Sequence, residues 1–182
     1  MLKISEVKDV KGLKKFIALP WVIYQNDPNW VPPLRGQQRR TLQGKNNPLL
    51  ANGEHTFFLA QVGEKVVGRL LVGINRKLNR EKNKQEGYLS LFEAIEDREV
   101  AFALFDAASQ WLRARGITSI VGPVSPTNGD DNRGILIQGF DGPPVLMNSY
   151  NPPYYESFFE DYGFGKDMDL FAFYLDVASL DT

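Results

Sequence analysis

The chain has 182 residues, 43% of them hydrophobic and 24% charged, which is ample for one compact domain over 1–182 and short for two. Twenty-one basic against twenty-two acidic side chains give a net charge of −1, so no global field argues for nucleic acid or an anionic membrane. The absence of cysteine removes thiol nucleophiles, disulfides and thiolate metal sites, and a single histidine, His55, excludes a histidine-rich zinc centre. The N-terminus lacks the apolar core of a signal peptide, and no run approaches the roughly twenty apolar residues of a spanning helix. A cytoplasmic protein without a transmembrane segment is expected, with peripheral membrane contact left open.

Residues 2–7 alternate apolar and polar and predict a first strand. Leu13, Phe16, Ile17, Trp21 and Tyr24 recur at helical spacing, and Pro20 removes one ladder bond, so that helix should kink or split. Residues 27–34 are too proline-rich for a regular element, and Trp30, Val31 and Leu34 are expected to pin an extended loop to the core. A second short helix is predicted within 35–45. Its Arg39 and Arg40 read as a solvated face, with contact to a phosphate as the alternative.

From Thr56 the period changes. Residues 56–62 and 65–74, joined through Gly63 and Glu64, predict a hairpin of two apolar strands. The polar run 75–86 reads as a solvated, mobile connection, and 87–95 as a third strand of the meander. Asp97 is placed to cap a helix whose stripe is Val100, Leu104, Ala107, Ala108 and Trp111, with Phe102 and Phe105 meeting another layer and Gly116 as the stop. Residues 117–121 predict a strand reached by a crossover. The region 125–150 is loop-rich, with brief extended pieces at 134–139 and 144–147.

Residues 148–164 concentrate polar, aromatic, proline and glycine signals. Pro152 and Pro153 fit a first helical turn, Asn151 its cap and Gly163 its left-handed stop, with Tyr155, Phe158, Phe159 and Tyr162 at helical spacing between them. A final strand is predicted over 169–175. Asp130, Asp131 and Arg133, with Asn148, Ser149 and Asn151, form the remaining polar concentration. Asp130 or Asp131 has the chemistry to bind an amine or act as its base, and Arg133 to meet a phosphate or carboxylate; a tight turn accounts for the same residues without chemistry. Their spacing does not match a calcium loop, and no metal is expected. His55 reads as a strand-edge residue.

The order of elements resembles the GNAT N-acyltransferase fold. The words Leu19-Pro-Trp-Val-Ile-Tyr24, Asp27-Pro-Asn-Trp-Val-Pro-Pro-Leu34, Val67-Gly-Arg69, Gly122-Pro123, Gly139-Phe-Asp141 and Tyr150-Asn-Pro-Pro-Tyr-Tyr155 are similar to a bacterial family of uncharacterised GNAT-like proteins related to bacterial ceramide synthase. The resemblance covers nearly the whole chain, and members often carry a second GNAT-like half. It implies an α/β (α+β) fold: a mixed, mainly antiparallel central sheet flanked by helices, with a loop-rich insertion before the last helix. It also implies acyl transfer from a coenzyme A or carrier-protein thioester to a small-molecule or lipid amine. Acyl-CoA would be the co-substrate, with no metal, no nucleic acid and oligomeric state open.

That chemistry needs a pyrophosphate cradle, a backbone donor for the thioester carbonyl and a path for protons. The thioester arm is implied to lie where two strands splay, along the strand end holding Phe92 and Ala94. The family's glycine loop is missing at the following junction, where Glu96, Asp97 and Glu99 stand with Arg98 as the one cation. The family's tyrosine position holds Phe159, so Tyr154, Tyr155 or Tyr162 would protonate the leaving thiolate, unless these are core residues. The implied catalytic set is Tyr154, Tyr155 and Asp131; Phe92, Ala94 and Arg98 hold the cofactor, and Asp130, Arg133, Asn148 and Asn151 the substrate. The alternative is a catalytically inert GNAT-like binding module, which a side-chain-filled gap between the splayed strands would favour.

Overall fold

The structure is a computed structural model that describes residues 1–45, 47–126, 132–173 and 175. Its elements run β1 Leu2–Glu6, α1 Val10–Ala18, α2 Pro20–Ile23, α3 Arg35–Leu42, α4 Pro48–Asn52, β2 Glu54–Val62, β3 Lys65–Ile74, α5 Arg76–Lys82, β4 Glu86–Ala94, α6 Arg98–Arg113, β5 Ser119–Val121 and α7 Tyr155–Tyr162. The five strands form one sheet in sequence order. β1 to β4 are antiparallel, and β5 lies parallel to β4 because α6 carries the chain back across the sheet.

Each sheet face buries its own layer. On one, α6 lays Val100, Ala101, Leu104, Phe105, Ala108 and Leu112 over Phe58, Ala60, Leu70, Val72, Leu89 and Phe92, and α7 adds Tyr155, Phe158 and Phe159. Gly68 is what lets α6 come so close, since a Cβ there would stand 2.8 Å from Val100 and 2.9 Å from Leu104. On the other face, Phe16, Ile17, Leu42 and Leu50 from the first helices cover Phe57, Leu59 and Leu71. Asp97 caps α6 through the Glu99 N–H at 2.9 Å, as its position predicts. Pro20 splits the first helix into α1 and α2.

Gly73 faces Tyr88 across β3 and β4, and any Cβ on it would overlap the Tyr88 ring. Gly73→Ala should therefore lower unfolding free energy by about 1–3 kcal/mol. Gly36→Ala, at an open helical position, should instead raise it by up to about 1 kcal/mol, with denaturant melts of both variants as the check.

Four expectations change. The run 75–86 is exposed for most of its length, as expected, but it is not an irregular connection and contains α5: the Asn75 side chain caps the Leu78 N–H at 3.0 Å, Asn83 ends the helix in the left-handed region, and buried Asn79 bonds the Glu86 backbone. Asn151 does not cap α7; its side chain accepts from the Leu136 N–H at 2.6 Å and donates to the carbonyls of Leu136 and Pro152, and the helix opens after Tyr154. Val31 and Leu34 are exposed, leaving Trp30 alone as the aromatic pin of that loop. Among the described residues no strand forms over 169–175, where Phe171 and Phe173 stand exposed.

Candidate active site

A bulge in β4 creates the site. Arg69 pairs with Glu93 and Leu71 with Ser90, so Leu91 and Phe92 together oppose Leu70, and Leu91 takes a φ of 51°. One extra residue inverts the alternation that follows. Phe92 and Ala94 enter the α6-side core, and the Glu93 side chain turns to the opposite face, beside Arg69.

There Glu93 collects three donors. Its Oε2 accepts from the Tyr24 hydroxyl at 2.9 Å and from the Tyr155 hydroxyl at 2.8 Å. Arg69 Nη2 stands 3.4 Å from Oε1, while Nη1 donates to the Phe16 carbonyl at 2.9 Å and the guanidinium lies over the Phe16 ring. The Arg69 side chain is 2% exposed and that of Glu93 13%, so the pair is largely withdrawn from solvent. Burial raises the Glu93 carboxyl above the ordinary carboxylate range, opposed by the Arg69 charge and the two hydroxyls. The same burial lowers the Arg69 guanidinium, opposed by Glu93.

The tyrosines are held neutral. Burial, then the Glu93 charge, pushes Tyr24 and Tyr155 well up, and Tyr154 goes to about 12 for the same two reasons. Tyr155 also accepts from the Ala94 N–H at 2.9 Å, and Tyr154 donates to the Ala94 carbonyl at 3.0 Å. Both backbone groups of Ala94 are thus taken by tyrosine hydroxyls.

An aromatic wall rises from Tyr24 toward solvent. Tyr24 stacks on Trp30 with centroids 4.9 Å apart, Trp21 meets Trp30 edge-on at 5.3 Å, and Tyr150 lies 6.1 Å from Tyr24. The Tyr150 hydroxyl donates to Asp27 at 2.8 Å, and burial and Asp27 push it up to about 12. Asn29 donates to the Phe140 carbonyl at 3.1 Å, which ties this loop to the one that precedes α7.

The structure brings Tyr154 and Tyr155 to this cluster, with Ala94 between them. Phe92 lies at 4.9 Å from both Phe105 and Tyr155 in the aromatic core. Tyr162 belongs to another part of that core, donating to Asp106 at 2.8 Å. Arg98 turns to Asp161 at 3.4 Å and over Phe102. Arg133 stands 3.8 Å from Asp167, Asn148 is exposed, and Asn151 holds Leu136. Asp130 and Asp131 lie outside the described residues. His55 faces the Gly53 carbonyl at 3.1 Å.

The sequence places Tyr24 in a helical stripe and Arg69 in a family word, and it assigns neither of them, nor Glu93, to the site. Arg69 carried a signal, being the one charge in the apolar run from Val66 to Val72, whereas nothing local marks Glu93.

The start of α6 does not fit a pyrophosphate. The Asp97 side chain occupies the Glu99 N–H, Glu96 and Glu99 add negative charge, and Arg98 is engaged with α7. At β5 the chain still follows β4 as far as Val124, whose N–H donates to the Leu89 carbonyl at 2.9 Å; beyond it the β4 edge at Ala94 is covered by the start of α7. Among the described residues no three His, Cys, Asp or Glu side chains gather as a metal site, and no helix is long and apolar enough to cross a membrane.

The strand order, the crossover by α6 and the divergence of β4 from β5 define a GNAT fold. An aminoglycoside acetyltransferase from an uncultured soil metagenomic sample, solved with sisomicin, superposes with a TM-score of 0.57 at 15% identity over 97% of this chain and 96% of its own. AAC(6')-Iy, solved with a CoA-containing bisubstrate analogue, gives 0.57 at 13% identity over 97% and 99%. A tandem GNAT protein from the clavulanic acid biosynthesis pathway gives 0.58 at 13% identity over 90% of this chain and 43% of its own. In sequence, the chain is related to bacterial ceramide synthase of Caulobacter vibrioides, 36% identical over 176 residues, and to protein YghO of Escherichia coli K12, 38% identical over 172 residues. It spans 46% and 43% of their lengths, respectively. No family model matches the sequence.

Proposed function

We propose that the chain forms one GNAT unit of a cytoplasmic N-acyltransferase that moves an acyl group from a thioester to an amine, with Glu93 as the base. The observation that carries this reading is the β4 bulge, which delivers a carboxyl of raised proton affinity to a tyrosine-lined site on a fold shared with acetyltransferases. A raised proton affinity makes a carboxylate a better acceptor for the proton of an amine.

In the reaction the amine nitrogen attacks the thioester carbonyl, its N–H proton passes to Glu93, and the C–S bond breaks. The departing thiolate takes a proton from a neutral tyrosine hydroxyl, that of Tyr155, which regains one from the Glu93 carboxyl it bonds. Products are an amide and a free thiol. Similarity to bacterial ceramide synthase supports a long-chain lipid amine as acceptor. The acidic start of α6 favours a donor held elsewhere than by its pyrophosphate, such as a carrier-protein thioester, over acyl-CoA.

A second reading has its own observation. The Tyr154 and Tyr155 hydroxyls fill the β4 edge where a thioester arm would lie, as expected of a GNAT-like binding module without chemistry. Incubation with acyl-CoA and acyl-carrier-protein thioesters of several lengths and a panel of amines separates the two. Amine-dependent thiol release supports transfer; neither thiol release nor thioester binding leaves the binding module.

A further inference from the structure

The even charge of the whole chain conceals a local imbalance. No aspartate or glutamate stands between Asp27 and Glu54, while Arg35, Arg39, Arg40 and Lys45 all do. Those four side chains are exposed, and among the described residues none forms an ion pair. Arg35 lies over Trp21, 4.2 Å from its ring centroid.

The basic helix directly follows an exposed apolar loop tip. Val31 is 60% and Leu34 74% exposed, held outward by the stiff prolines between them. The loop clasped to it through Asn29 and Phe140, and through Asp27 and Tyr150, carries its own exposed Val145, Leu146 and Met147. Val31 adjoins Trp30, Trp30 stacks on Tyr24, and Tyr24 bonds Glu93, so this surface is the outer end of the aromatic wall.

We infer that this surface docks on a bilayer bearing anionic headgroups, with Val31, Leu34 and the clasped loop entering the acyl boundary and Arg39 and Arg40 meeting phosphates. Short apolar tips beside unpaired arginines match the headgroup boundary, where apolar burial and attraction to anionic lipid add. Nucleic acid would leave the apolar tips without a partner. Docking would place a membrane-resident amine at the wall leading to Glu93; that consequence, unlike the docking, rests on the proposed transfer activity.

The test is sedimentation of the chain with vesicles of phosphatidylcholine alone and of phosphatidylcholine with an equal share of phosphatidylglycerol. Binding to the anionic vesicles is expected, weakened about tenfold or more by the double change Arg39→Glu and Arg40→Glu. It should also fall in high salt and with Leu34→Glu, each variant keeping its thermal transition. No binding, binding that these changes leave untouched, or a dimer in solution that Leu34→Glu dissociates would each overturn the inference. Thiol release with a water-soluble amine, measured on the same variants, should not change. Its absence in a chain that binds vesicles counts against the proposed activity alone; its presence in a chain that does not bind counts against docking alone.

Discussion

Glu93→Gln is expected to lower kcat/KM for amine acylation by about 10²- to 10⁴-fold, the usual contribution of a positioned base. Glutamine keeps an oxygen for the Tyr24 and Tyr155 hydroxyls and removes only the capacity to take a proton. The pH dependence is the sharper reading. Because burial raises the Glu93 carboxyl, the acid limb of kcat/KM should rise through an apparent pKa above the ordinary carboxylate range, and this limb should vanish in Glu93→Gln. Stability carries the opposite sign. Between the ordinary and the raised value the folded state holds the proton that the unfolded state has released, so stability falls as pH rises through that window. Glu93→Gln should lose that slope, which thermal melts across the acid range would record. A variant that keeps both its rate and its acid limb would remove Glu93 from the chemistry.

The meander and the crossover were legible in the sequence because period carried them. The period of the sequence changes at Thr56, near the start of the hairpin 54–74, and the α6 stripe sits between a capping Asp97 and Gly116. The aromatic residues of α7 were also legible, because Tyr155, Phe158 and Phe159 recur on one buried face. What escaped was set by single residues acting at a distance. Alternation alone would place Glu93 on the α6 side of β4, and only the bulge at Leu91, a backbone event without a glycine to announce it, sends it to Arg69. Asn75, Asn79 and Asn83 read as solvated polar residues until the helix they cap, buttress and end is seen. Asn151 has the chemistry of a cap, and tertiary structure uses that chemistry on Leu136 instead. Tyr154 and Tyr155 were singled out as proton donors for their place in the sequence. Their hydroxyls reach the β4 edge through contacts some sixty positions away in the chain, which no local pattern encodes.

Removing the Glu93 carboxyl altogether should be the most destabilising single change at the site. Glu93→Ala leaves the Arg69 charge 2% exposed with no counter-ion, and leaves the Tyr24 and Tyr155 hydroxyls without their shared acceptor. Loss of one partner of a buried pair typically costs about 3–5 kcal/mol, most of it the penalty on the stranded charge. Glu93→Gln should cost less, since the hydroxyls keep their acceptor, although Arg69 still loses its charge partner. Arg69→Met alone should also destabilise, because the carboxyl then sits buried without its cation; there the carboxyl can protonate, which limits the loss. Combining Arg69→Met with Glu93→Ala should therefore cost less than the sum of the two, with an interaction of about 1–3 kcal/mol in a denaturant double-mutant cycle. Strict additivity would mean that Arg69 and Glu93 do not act as a pair, and Glu93 would then need another source for its placement on this face. The pair is also the reason the bulge persists. A regular β4 would turn Glu93 into the α6-side core and leave Arg69 alone against Phe16, so the electrostatics that serve the site also hold the backbone distortion that builds it.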